Sequence, residues 1–270
     1  MSYLLEVRNL KKSFVRGGGL FSEEGKGQSF VAVDNVSFGV APGETFAIVG
    51  ESGCGKTTLA RMILRLIEPD RGTILFEERD LLPLKGDALR AQRRQMQMIF
   101  QDPFASLNPR MRVGEIVAEP LAIHEPQMPR EKRLAQAGEI LRRVGLDESA
   151  LQRYPHEFSG GQRQRIGIAR ALILQPKLIV ADEPVSALDV SVGAQVLRLL
   201  QELQREFQLT YLFISHSLPV VAQLASRIAV MRAGQFVEHG PASLILYEPT
   251  QEYTRELLAA VPEIPRPGQV

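Results

Sequence analysis

Apolar and polar positions alternate at the start of the chain: Leu5 and Val7 are interleaved with Glu6 and Arg8, and the run leads to the lone aromatic Phe14. Val31, Val33, Val36, Phe38 and Val40 follow in much the same way. The two runs predict an antiparallel sheet near the N-terminus. Between them, residues 16–29 carry Gly17, Gly18, Gly19, Gly25 and Gly27, a composition that predicts a hairpin excursion. Pro42-Gly43 then turns the chain into the apolar run Thr45-Phe46-Ala47-Ile48-Val49, and Leu59 to Leu64 reads as a helix.

Further along, Thr73 to Phe76 predicts a short strand, Leu89 to Gln97 a helical stretch with Arg90, Arg93 and Arg94 on a solvated face, and Met98 to Phe100 another strand. Asp102 to Arg110, with Pro103 and Pro109, reads as a loop. From there to Tyr154 the period is helical: Leu134, Ala137, Ile140, Leu141 and Val144 share a face, and Gly145 stands where a C-cap would. Leu178-Ile179-Val180-Ala181 is apolar without interruption, as a parallel strand buried on both faces requires. A long amphipathic helix follows (Val196, Leu199, Leu200, Leu203, Phe207), then the strand Tyr211 to Ile214. Strands alternating with helices, and polar residues at the strand ends, predict an α/β fold with a parallel sheet and its site along one edge. Residues 102–165 or so form an inserted α-helical subdomain in this reading, and Tyr253, Leu257 and Val261 make an apolar stripe on a C-terminal helix, beyond which Pro262, Pro265 and Pro267 end regular structure.

Composition narrows this picture little. Lys and Arg number 32 against 31 Asp and Glu, so no whole-molecule field favours nucleic acid or an anionic membrane. A single cysteine excludes an internal disulfide, speaks against a cysteine-rich metal site and suits a reducing compartment. No apolar stretch reaches the ~20 residues that cross a bilayer. Glu6 and Arg8 stand where a signal peptide would be apolar, so the chain is expected to be soluble in itself.

Chemistry concentrates at the ends of strands. Gly50-Glu51-Ser52-Gly53-Cys54-Gly55-Lys56-Thr57-Thr58 lies between a strand and a helix, in the order Gly, four residues, Gly-Lys-Thr. Glycines let backbone N–H groups converge on phosphate oxygens, and the helix N-terminus adds partial positive charge behind the same anion. Lys56 would reach the terminal phosphates and the Thr57 hydroxyl would hold Mg2+. Asp182, after the buried strand, is placed to bind that ion directly or through water, and Glu183 is the candidate general base for an attacking water.

With these residues in view, the chain resembles the ATP-binding subunits of ABC transporters over nearly its whole length. Gly50 to Thr58 is similar to their Walker A motif and Leu178 to Glu183 to their Walker B. Ser159-Gly160-Gly161-Gln162 resembles the signature motif, preceded by Phe158 where many members have Leu. Gln101 stands at the Q-loop position, Ser186 to Asp189 at the D-loop, and His216 at the switch histidine. The resemblance implies a P-loop NTPase (RecA-like) core with a parallel sheet, an N-terminal antiparallel β subdomain and the helical insertion, within an ATP-binding domain of residues 1–240 followed by a C-terminal extension, 241–270. It implies ATP and Mg2+ as cofactors and a head-to-tail dimer, in which Ser159 to Gln162 of one chain closes on the cradle of another. It further implies that Phe14 stacks on adenine, that His216 contacts the terminal phosphate, that Gln101 senses magnesium and the attacking water, and that Asp189 lies at the nucleotide-bearing interface.

Within the superfamily, Gln101 to Arg110 and Tyr154 to Phe158 resemble the peptide, opine and nickel importer group, and the tail from Tyr247 resembles that group's C-terminal extension. There, two different ATPases often pair, a second copy of the same chain being the alternative, beneath two membrane permease subunits on the cytoplasmic face of the membrane, with a substrate-binding protein as an indirect partner. The glycine-rich stretch after Phe14 resembles the second of the two ATPases. The implied function is hydrolysis of ATP coupled to uptake of peptides; nickel, opines or another small solute are the alternatives within the group, and a soluble ABC ATPase of repair or ribosomes the alternative outside it. A repair ATPase would carry a long coiled coil and a ribosomal one two cassettes, and neither is seen. The family has Asp after the switch histidine where this chain has Ser217, which puts the orientation of His216 in question.

Overall fold

The computed structural model describes residues 2–15 and 29–261, so the glycine-rich excursion and the prolines of the tail lie outside the described residues. In chain order, β1 (Leu5–Val15), β2 (Ser29–Val40) and β3 (Thr45–Val49) lead to α1 (Lys56–Ile63), β4 (Arg71–Phe76) and β5 (Arg79–Asp80). Next come α2 (Gly86–Gln95), β6 (Met96–Ile99), α3 (Pro103–Ser106), α4 (Val113–His124), α5 (Arg130–Arg143) and α6 (Gly160–Leu172). β7 (Leu178–Asp182), α7 (Val190–Phe207), β8 (Thr210–Ser215) and α8 (Leu218–Ala222) follow, and β9 (Arg227–Arg232), β10 (Gln235–Pro241), α9 (Ala242–Tyr247) and α10 (Glu252–Ala259) are the last helices and strands among the described residues. This is an α/β fold with an antiparallel N-terminal sheet and, elsewhere, parallel pairing of β3 with β9 and of β6 with β7 beside antiparallel pairing of β9 with β10. The chain divides into two compact units, one drawn from residues 1–41, 46–84 and 214–270 and the other from residues 42–45 and 85–213.

In the first unit the antiparallel sheet runs β2-β1-β4-β5. Leu5 faces Val40 on one side and Phe76 on the other, alternation sends Leu5 and Val7 into the core, and a register shift between Val7 and Leu10 turns Leu10 inward as well, all three fully buried. β3 pairs in parallel with β9, from Phe46 opposite Arg227 to Val49 opposite Val230, and β10 returns antiparallel to β9. The parallel register brings the C-terminal ends of β3 and β9 side by side. The segment that follows β3 therefore meets the turn that follows β9.

In the second unit β6 and β7 pair in parallel, Met96 opposite Leu178 through Ile99 opposite Ala181, within the order β8-β7-β6. All five residues of β7 are buried. α5 buries Ala137, Ile140 and Leu141 as its period predicts, and Gly145 beyond it adopts φ +76°. Two expectations change. The stretch from Asp102 is not all loop: Asp102 accepts from the amides of Phe104 (2.7 Å) and Ala105 (3.2 Å), and Pro103 occupies the first turn, so α3 forms there. Nor is Arg94 merely solvated, since it pairs with Glu125 after α4.

Candidate functional site

β3 ends at Val49, and after Gly50 the chain reverses through Ser52 and Gly53 before α1 begins at Lys56. The tightness of this loop explains its glycines. A Cβ on Gly50 would sit 2.2 Å from the Met231 carbonyl oxygen, and one on Gly55, at φ +113°, 2.1 Å from the Ala32 carbonyl oxygen. Backbone from β9 and β2 thus walls the loop. The Gly234 amide, in the turn between β9 and β10, donates to the Cys54 carbonyl at 2.9 Å and fastens it. Lys56, 4% exposed, has its ammonium folded back onto the carbonyl oxygens of Gly50 and Glu51, both at 2.8 Å. To meet a phosphate it must exchange those carbonyls for phosphate oxygens, which a flexible stem permits. The Cys54 thiol is buried, and burial pushes its pKa up against the pull of Lys56. Glu51, Ser52 and Gly53 are exposed and Thr57 and Thr58 half-buried at the head of α1.

Two further candidates belong to the first unit. Phe14 is not alone: it pairs with Phe30 across β1 and β2, rings stacked with centroids 6.2 Å apart, and Lys12 lies over the Phe14 ring. Phe30 is 52% exposed, so the pair presents an aromatic surface. A second aromatic placed by strand register was invisible in the sequence because residues 16–28 separate the partners. His216 is exposed at the end of β8, between two serines linked to each other: the Ser217 amide donates to Ser215 Oγ at 3.0 Å. That link constrains the backbone on both sides of the histidine without a carboxylate at 217.

The second unit gathers the others. Parallel pairing of β6 and β7 puts the residues beyond their ends next to each other, and Gln101 Nε2 donates to Glu183 Oε2 at 2.9 Å. Asp182 is buried at 3% exposure. Glu183 adopts φ +47°, rare for a glutamate, and its carbonyl accepts from the Ser186 hydroxyl (3.0 Å) and amide (3.2 Å). The turn so formed swings the carboxylate out of the strand toward Gln101. Ser159 caps α6 in a reciprocal arrangement: its hydroxyl accepts from the Gln162 amide at 3.4 Å, and the Gln162 side chain accepts from the Ser159 amide at 3.0 Å. Gly160 and Gly161 form the first turn, leaving their amides at the positive end of a 13-residue helix. Asp189 caps α7, taking the Val192 amide at 2.9 Å and the Ser191 hydroxyl at 2.8 Å, and these donors hold its carboxyl below the usual range.

Among the described residues no cluster of three or more His, Cys, Asp or Glu could hold a metal ion. The Thr57 hydroxyl and the Asp182 carboxylate are hard oxygen donors, the type that Mg2+ takes while keeping several waters and binding chiefly through phosphate.

The family described as "ABC transporter" matches residues 33–186, more than half of the chain. The chain is 51% identical to the oligopeptide transport ATP-binding protein OppF of Streptococcus mutans, over 96% of its own length and 82% of that protein. It is 50% identical to the glutathione import ATP-binding protein GsiA of Pectobacterium atrosepticum, over 96% of this chain and 41% of that one. The solved dimeric structure of the ATP-binding cassette MJ0796 in a post-hydrolysis state with ADP and Pi superposes with a TM-score of 0.77 at 30% identity, covering 88% of this chain and 98% of that one. Matched by that family over more than half of its length and 51% identical to a relative covered to 82%, the chain belongs to the ABC transporter family.

Proposed function

We propose that the protein is the ATP-hydrolysing subunit of an importer for short peptides, acting from the cytoplasmic face of the membrane beneath permease subunits. The reach of the oligopeptide-subunit likeness, 96% of this chain, carries the reading, because it extends through β9, β10 and into the C-terminal segment. Glutathione, named in the GsiA relative, is itself a short peptide, so that likeness supports the same solute class. No helix among the described residues is long and apolar enough to cross a membrane, and permease chains would supply the path.

In this reading the cradle amides and Lys56 bind the β- and γ-phosphates, and Phe14 with Phe30 takes the adenine face. Thr57, Asp182 and Gln101 are the candidate Mg2+ ligands, and the ion supplies charge neutralisation at the transferring phosphoryl group. Glu183 takes a proton from the attacking water, held in aim by Gln101. Gly160 and Gly161 of a second ATP-binding subunit, together with its Ser159, face the γ-phosphate from the other side, with Asp189 and His216 beside it. That pairing is supported by the dimeric state of the MJ0796 cassette.

Affinity purification of the tagged full chain from detergent-solubilised membranes tests this. Recovery of multispanning permeases, with ATP hydrolysis that rises when peptide-loaded binding protein is added, is the expected result. Recovery of ribosomes or of DNA in their place overturns it.

A further inference from the structure

The C-terminal helix reaches the cradle from behind. Tyr253, in the first turn of α10, is 6% exposed, and its hydroxyl is buried without closing a hydrogen bond of normal geometry among the described residues. A tyrosine so buried ordinarily satisfies that group. Its surroundings are the cradle's own: the Glu51 amide and carboxylate and Cys54 act on the hydroxyl, while the Arg232 guanidinium lies over the ring at 4.5 Å. Arg232 ends β9, one residue past Met231, whose carbonyl crowds Gly50. The same turn binds Cys54 through Gly234.

The helix is itself anchored. Glu238 on β10 accepts from the Thr250 amide and hydroxyl, both at 2.7 Å, and from the Gln251 amide at 3.3 Å. Arg255 donates to the Pro249 and Thr250 carbonyls at 3.1 and 3.0 Å. A fixed helix therefore aims one buried hydroxyl at the first residue after Gly50. That residue's carbonyl is one of the two that hold Lys56.

We propose that Tyr253 is a positioning residue for nucleotide binding: from α10 it fixes the Gly50–Glu51 turn against β9, so that the affinity of the cradle for ATP depends on a side chain of the C-terminal segment. It touches neither nucleotide nor reacting atoms and acts through the Glu51 backbone. As the turn settles around phosphate, the Glu51 amide and Tyr253 hydroxyl close their bond. Nucleotide binding and the docking of α10 then stabilise each other to the same degree, as linkage requires.

The inference rests on Gly50 to Thr58 being the ATP site, and the test separates the two. Nucleotide affinity of the full chain is measured by titration with a fluorescent ATP analogue for the native protein, Lys56→Ala, Tyr253→Phe and Tyr253→Leu. Lys56→Ala should abolish binding, and if it binds normally the cradle assignment itself fails. Tyr253→Phe keeps the ring and should weaken binding about three- to tenfold, the worth of one neutral hydrogen bond, raising KM for ATP with kcat at saturation held. Tyr253→Leu should weaken it further. A lowered melting temperature with unchanged affinity in both Tyr253 variants reduces the residue to packing and overturns the proposal. In the native chain, saturating ATP should slow amide hydrogen exchange across residues 252–259. Exchange there that ignores ATP overturns the coupling without any variant being made.

Discussion

Glu183 sits in a backbone conformation that costs a non-glycine residue on the order of 1–3 kcal/mol, with φ +47° immediately before Pro184. The Ser186 bonds to its carbonyl hold it there, and the result is a carboxylate turned onto Gln101. Such strain clusters at functional sites, and it motivates a test of Glu183 as the base. Glu183→Gln keeps the side-chain shape and a group for Gln101 to bond, but it cannot accept the water's proton. ATP hydrolysis should fall at least a hundredfold, within the roughly 10²–10⁴ range of general base catalysis, while ATP affinity stays within about twofold. Hydrolysis near the native rate would remove Glu183 from the mechanism. The place of this residue at a strand end was legible in Asp182-Glu183 after an apolar run, because strand burial and a polar end are local signals. Its left-handed φ was not, since the Ser186 bonds that enforce it come from the following turn. Phe30 escaped for a related reason, since its partner Phe14 lies on the neighbouring strand, and Tyr253 was legible only as part of an apolar stripe.

Among the elements, those with strong period declared themselves and those stabilised by caps or by register did not. α5 and α7 carry amphipathic stripes and were legible. α3 was masked by Pro103, which reads as a breaker yet suits a first turn once Asp102 caps it. β9, a short apolar run with no clear alternation, gives no hint that it walls the cradle. α10 differs from its stripe: Tyr253 and Thr254 are the buried residues, and Leu257 is only half-buried. Much of its docking is instead polar, through Glu238. Burial pushes the Glu238 carboxyl up, but the nearby Thr254 hydroxyl and the donors from Thr250 and Gln251 outweigh it and hold the pKa below its usual value of 4.5. A carboxyl whose pKa falls on folding contributes stability that is fully present above its unfolded value and fades as pH drops through the folded one. α10 should therefore stay docked at neutral pH and loosen below about pH 4.5. Glu238→Gln should loosen it at pH 7, at a cost on the order of 1 kcal/mol after allowance for partial exposure, or about fivefold faster amide exchange in α10. Exchange in the variant equal to native at neutral pH would show that Glu238 does not anchor the helix.

For the whole molecule, the telling fact is that α6 begins with an anion-ready turn whose hydroxyl is spent on its own cap. Ser159 and Gln162 satisfy each other, and the amides of Gly160, half-buried near Leu188, and Gly161, buried against Val192, stand in the first turn of the helix, while hydrolysis needs donors on both sides of the γ-phosphate. If those amides serve the nucleotide of a second subunit, cradle and signature are separable functions of one chain. Ser159→Asp distinguishes them, because aspartate is as good a cap as serine and so preserves α6 while placing a carboxylate against the γ-phosphate. The dilute single chain should then bind a fluorescent ATP analogue within about twofold of native. The assembled transporter should lose at least tenfold in ATP hydrolysis, since opposing two like charges in a closing interface costs more than the 1.4 kcal/mol that a factor of ten represents. Loss of nucleotide affinity in the single chain would place Ser159 at its own cradle and end the two-chain site. With affinity kept and turnover lost, Lys56 and Thr57 hold one half of a site whose other half arrives on another subunit.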